Sequence, residues 1–176
     1  EEAYETQGAF DKLGAVLQRR LARATDPHDQ QDLRLRFAEL AAAQLGDAEA
    51  AFGALEEAFR AAPESVELWD RLHVAADASD RHGDLAAAFG TAVEDATNGL
   101  GDGDRAVLAG RVAHLYDVVL GEPARAEPFH RRVLLADPLD PGSFTALKEL
   151  YTNAERWDDL QVLYRNRIAE VVDEDQ

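Results

Sequence analysis

Displaced by 75 residues, the chain aligns with itself without a gap. That offset sets Leu45-Gly46 on Leu120-Gly121, Ala51 on Ala126, Pro63 on Pro138, Trp69 on Phe144 and Leu72 on Leu147. It carries on through Arg81-His82-Gly83-Asp84-Leu85 on Arg156-Trp157-Asp158-Asp159-Leu160, and Phe89 on Tyr164. Bulky, small and turn positions recur in register, near residues 45–119 and again near 120–172. A fixed period of this kind marks stacked units that pack on their neighbours, not a chain folded around one centre.

Inside each unit the apolar residues are spaced by three and four, which is the period of a helix and not of a strand. About nine helices are expected, near 8–24, 29–45, 47–62, 65–78, 84–97, 103–120, 123–136, 141–153 and 156–172. The breaks fall at Asp26-Pro27, Gly46, Pro63, Gly83, Asn98 to Gly103, Gly121, Pro138 and Asn153. Gly takes the left-handed conformation that ends a helix, and Pro fits only the first turn. Asp140-Pro141 reads as an N-cap followed by a first helical residue. Connections this short make neighbouring helices antiparallel, so each unit is two helical hairpins. One hairpin cannot cover its own apolar stripe. Trp69, Leu72, Phe89, Phe129, Leu134, Phe144, Leu147, Trp157, Leu160 and Tyr164 are therefore expected to pack between hairpins, each large side chain contributing on the order of 2 kcal/mol.

These residues resemble the tetratricopeptide repeat (TPR) family. Ala51, Leu55, Ala58 and Pro63 stand at the family's second-helix spacing, and Trp69, Leu72, Leu85, Phe89 and Ala92 follow its wider pattern, as do Phe144, Leu147, Tyr151, Leu160 and Tyr164. His73 and Lys148 occupy positions where the family has a small residue, and other helical-hairpin solenoids fit the same spacing. The resemblance implies an all-α, right-handed α-solenoid of antiparallel helix pairs running over residues 1–176 as a single array. It also implies a concave surface, lined by the first helix of each hairpin, that takes peptides or helices. Arg71 and Thr145 do not present the carboxylate clamp of the chaperone-docking members.

Composition removes several chemistries. The 176 residues contain no Cys, so disulfides, thiol nucleophiles and thiolate metal sites are excluded. The five histidines show no paired metal spacing; His73 and Asp77, one turn apart, are the nearest approach, and no metal or other cofactor is expected. Asp102-Gly103-Asp104 lacks the alternating oxygens of a calcium loop and reads as an N-cap after a long, mobile connection. Gly99, Gly101 and Gly103 follow no strand and precede no Lys, so they form no phosphate loop. The only serines are Ser65, Ser79 and Ser143, none with an evident histidine partner. Carboxylate pairs at Glu56-Glu57, Glu94-Asp95 and Asp158-Asp159 read as solvated surface, and the chain is not expected to be an enzyme. No apolar run reaches the roughly 20 residues of a membrane span. The chain opens on Glu-Glu-Ala-Tyr, with neither an initiator Met nor a leader, and is expected to be a portion of a longer protein. Absence of Cys suits cytoplasm and periplasm alike, so the compartment stays unassigned, the cytoplasm being the first expectation.

Charge adds a direction. The formal net charge is −17, which repels nucleic-acid phosphate at long range. Residues 45–97 hold twelve acids and three bases, whereas 120–172 hold nine and seven. Glu67, Asp70, Val74 and Asp77 share one helical face and make the expected partner-binding groove, suited to a protein or peptide segment bearing Lys or Arg. The expected function is a non-enzymatic interaction scaffold or adaptor. Two alternatives stand beside it: a nucleic-acid-binding helical repeat using Arg131, Arg132, Arg165 and Arg167, and self-association through the terminal hairpin.

Overall fold

The computed structural model describes residues 2–174, and side chains over 8–171. The described residues are all-α: nine helices form a helical repeat with no strand among them, the first four packing in chain order and the last four likewise. They divide into two compact units, Glu1–Leu85 and Ala86–Gln176. In the first unit α1 (Glu2–Leu21), α2 (Pro27–Leu40), α3 (Ala48–Ala61) and α4 (Val66–Ser79) follow one another, and α5 (His82–Glu94) begins. The second unit holds the rest of α5, then α6 (Asp102–His114), α7 (Pro123–Ala136), α8 (Pro141–Asn153) and α9 (Trp157–Glu174).

Three helices start where the sequence supplies an oxygen acceptor. Asp26 accepts from the amides of His28 and Asp29 with Pro27 in the first turn, Asp47 accepts from Ala50, and Asp140 accepts from Ser143. Two features differ from the sequence reading. α2 and α6 each run on into one π-helical turn, Ala41–Leu45 and Leu115–Val119, an extra-wide turn that leaves the apolar pattern intact. The break expected at Gly83 is made three residues earlier: Asp80 takes φ 56° and Gly83 lies inside α5. Glu155 does the same before α9, at φ 55°. In both places the next amide closes the helix end, Arg81 N to the Ala76 carbonyl at 3.0 Å and Arg156 N to that of Tyr151 at 2.8 Å.

The core of the first unit is Phe52, Leu55, Phe59, Trp69, Leu72 and Leu85, with the Trp69 indole N–H donating to the Pro63 carbonyl at 2.7 Å. In the second, Phe89, Leu108, Val112, Leu115 and Phe129 are buried, and Leu147, Tyr151 and Leu163 form a further cluster flanked by Leu134, Phe144 and Leu160. The expectation of burial fails at two residues: Trp157 is 58% and Tyr164 43% exposed. Tyr164 keeps one neighbour, the Phe144 ring of α8, which it meets edge to face at 5.3 Å.

One seat is filled differently in the two units. The Arg81 guanidinium lies 4.3 Å from the centre of the buried Phe52 ring and bonds Asp84 at 2.7 Å. Seventy-five residues on, Arg156 bonds Asp159 in the same way, but the position of Phe52 is Glu127, held by Arg156 at 2.6 and 3.0 Å. Those bonds, with help from Tyr151 and Arg131, keep the Glu127 carboxyl below its ordinary range.

Candidate interaction surface

In the first unit, α2, its π-helical turn, α3 and α4 enclose a concavity of about 440 Å³. Its wall is mostly methyl groups: Ala38, Ala42, Ala51, Ala75 and Ala78, with Leu55 below. Small residues at 38, 42 and 46 fall one turn apart and clear the space. At the rim stand Asp70 and Val74 of α4, together with Glu39 and Arg71. Arg71 bonds Glu39 at 3.0 Å and faces Glu67 at 3.7 Å, so two carboxylates share one guanidinium.

Of the four residues expected to form a groove, Asp70 and Val74 line this concavity. Glu67 lies outside it, joined through Arg71. Asp77 is turned elsewhere: its Oδ1 is 2.8 Å from His82 Nε2 and 3.9 Å from His73 Nε2. Sequence reasoning missed Glu39 and Arg71; the signal available was the run of small residues on α2 opposite the acids of α4. Val74 is 67% exposed, an aliphatic side chain open to a partner.

The position of Leu55 in the second unit is His130, that of Leu68 is Ser143, and that of Ala42 is Asp117. His130 Nδ1 lies 3.1 Å from Ser143 Oγ, and its Nε2 lies 3.6 Å from Asp117 Oδ2. This corrects the reading that no serine has a histidine partner: the pair is thirteen residues apart, on α7 and α8, and meets only because the helices cross. Burial holds the imidazole below its ordinary pKa against the opposing pull of Asp117 and Asp140. Ser143 is only 5% exposed, in the first turn of α8, so its hydroxyl offers no face to a substrate.

The remaining candidates resolve into local pairs. Glu56 bonds Arg60 while Glu57 bonds Arg34 at 3.2 Å, so these neighbouring carboxylates diverge. No group of three metal-ligating side chains converges among the described residues. Asp102 and Asp104 lie in the first turn of α6, but the N-cap is Gly101, with no side-chain bond, which corrects the assignment of the cap to Asp102. The preceding connection, expected to be mobile, is tied down by Arg105. This residue is 4% exposed and donates to the carbonyls of Ala92, Val93, Asp95 and Leu100 at 2.8–3.0 Å and to Asn98 Oδ1 at 3.3 Å. Of the four arginines considered for nucleic acid, Arg131 is engaged by Glu127 at 2.8 Å and by the Tyr151 hydroxyl at 2.9 Å.

Among the described residues no helix is long and apolar enough to cross a membrane. Comparison with protein-family models, with curated proteins and with solved structures gives no match.

Proposed function

We propose that this chain is a non-enzymatic, TPR-like interaction scaffold whose first unit receives a partner segment in the α2–α4 concavity. The observation that carries this reading is the pairing of a methyl-walled hollow with the acids Glu39 and Asp70 at its rim and Glu67 just beyond, Glu39 and Glu67 sharing the guanidinium of Arg71. The hollow takes one apolar side chain of the partner, and the rim takes a Lys or Arg beside it. The gain on binding is apolar burial, while the acids steer encounter and make affinity fall with salt. Panning a displayed random-peptide library on the full chain tests this. Enriched peptides should join a bulky apolar residue to a Lys or Arg, and their affinity should fall about tenfold in Val74→Arg and severalfold in Glu67→Lys. Both residues are exposed, so neither change disturbs the core. Binding indifferent to both substitutions and to salt would remove the proposal.

A further inference from the structure

The second unit carries a different surface, of opposite charge. In α5, Phe89 and Val93 are buried, Gly90 faces Phe129 of α7 and Val112 of α6, and Arg105 of α6 bonds the carbonyls of Ala92 and Val93. The helices that follow α5 thus cover it. Seventy-five residues on, α9 presents Tyr164 where Phe89 was and Ile168 where Val93 was, 43% and 62% exposed. Val171 and Val162 are exposed beside them, and so is Leu135 of α7. Two hollows open on this face, one of about 420 Å³ reaching Leu134, Phe144 and Leu147, the other of about 270 Å³ among Tyr164, Arg167, Ile168 and Val171. By the 75-residue offset this face stands where α5 meets Val112 of α6 and Phe129 of α7.

Its chemistry has changed in one respect. The position of Gly90 is Arg165 and that of Ala92 is Arg167. Arg167 lies 4.3 Å over the Phe144 ring, and its Nη1 is buried without a hydrogen-bond partner. No acidic side chain among the described residues pairs with either arginine. A buried N–H donor left unbonded is unfavourable, and a carboxylate seated beside the guanidinium would give it an acceptor. A second copy of this same basic face would bring like charges together, and a copy of α6 unchanged would set Val112 against Arg165.

We propose that the α7–α9 face seats an amphipathic helix of a partner protein, laid as α6 lies on α5, with an Asp or Glu in place of Val112 to meet Arg165 and Arg167. The test uses the full chain and two labelled synthetic peptides of residues 102–120, kept helical by a staple on the outer face, one with the native sequence and one with Val112→Glu. Fluorescence anisotropy at low salt should show the Val112→Glu peptide bound about tenfold more tightly than the native one. Ile168→Asp in the chain, at an exposed position that leaves helicity unchanged, should weaken both by about tenfold, and Arg165→Glu should invert their order. Failure of both peptides to bind up to about 1 mM, or binding unaffected by Ile168→Asp, overturns the proposal. Concentration-dependent dimerisation lost in Ile168→Asp would show a second copy on the face and overturn it too. So would oligouridine RNA binding abolished by Arg165→Glu and untouched by Ile168→Asp.

Discussion

Replacing Arg105 by Met tests whether a single buried cation holds the α5–α6 connection in place. Met keeps the helix propensity and much of the length but removes every donor. Of the four carbonyls that Arg105 serves, that of Ala92 keeps the Asn98 side-chain amide at 2.8 Å, and that of Asp95 lies in an exposed stretch where water replaces the guanidinium. The carbonyls of Val93 and Leu100, both on buried residues, are left unbonded. At about 1–3 kcal/mol for each orphaned group, less what is regained by no longer burying a charge, the loss should be about 3 kcal/mol. In a chain this long that is a fall of roughly 6–12 °C in melting temperature. Arg105→Lys should lose somewhat less, because an ammonium keeps the charge near the end of α5 but cannot fork to four acceptors. The assay is urea unfolding together with hydrogen exchange read by mass spectrometry. Amides from Val93 to Arg105 should lose protection, while α2 and α3 should exchange as before. A loss under about 1 kcal/mol with unchanged protection across the connection would refute the reasoning.

Two further outcomes follow from local geometry. Glu155→Gly should raise stability by about 0.5 kcal/mol, the relief of a left-handed non-glycine residue outweighing the added freedom of the unfolded chain; a melting temperature that falls would contradict it. His130 is held neutral in the fold, so its contribution is fully present above its unfolded value of 6.5 and is lost as pH falls through the lowered folded value. Urea midpoints between about pH 7.5 and 5 should therefore drop in the parent and flatten in His130→Leu, which restores the residue found at Leu55; an unchanged slope would show that other groups govern it.

The helices were legible because the 3–4 apolar spacing and the Gly and Pro breaks are local signals. The expected spans for α7 and α8 match the structure, since Pro123 and Pro141 fix their first turns. The π-helical turns left no trace, because one wide turn shifts hydrogen bonds without changing which residue types are apolar. Gly83 carries the helix-ending signal, yet Asp80 takes the left-handed turn, because the residue that adopts that conformation is not always the one that does so at least cost. At the candidate surface, α4 was located from its acids, but a stripe on one helix does not reveal what faces it: Glu39 and the alanines of α2 enter only through packing. Arg105 carries no signal in the sequence, because burial of a guanidinium depends on carbonyls that any sequence would supply.

The joint shared by Arg81 and Arg156 has a consequence for how such units diverge. The cation is kept while the residue at one equivalent position is a ring in one unit and a carboxylate in the other, both electron-rich, each arginine keeping a further carboxylate in Asp84 or Asp159. Loss of the arginine would undo either version. Acid distinguishes the two counterparts: protonation removes the charge of Glu127, whereas the Phe52 ring has none to lose, so copies of one architecture answer differently to the same change of pH.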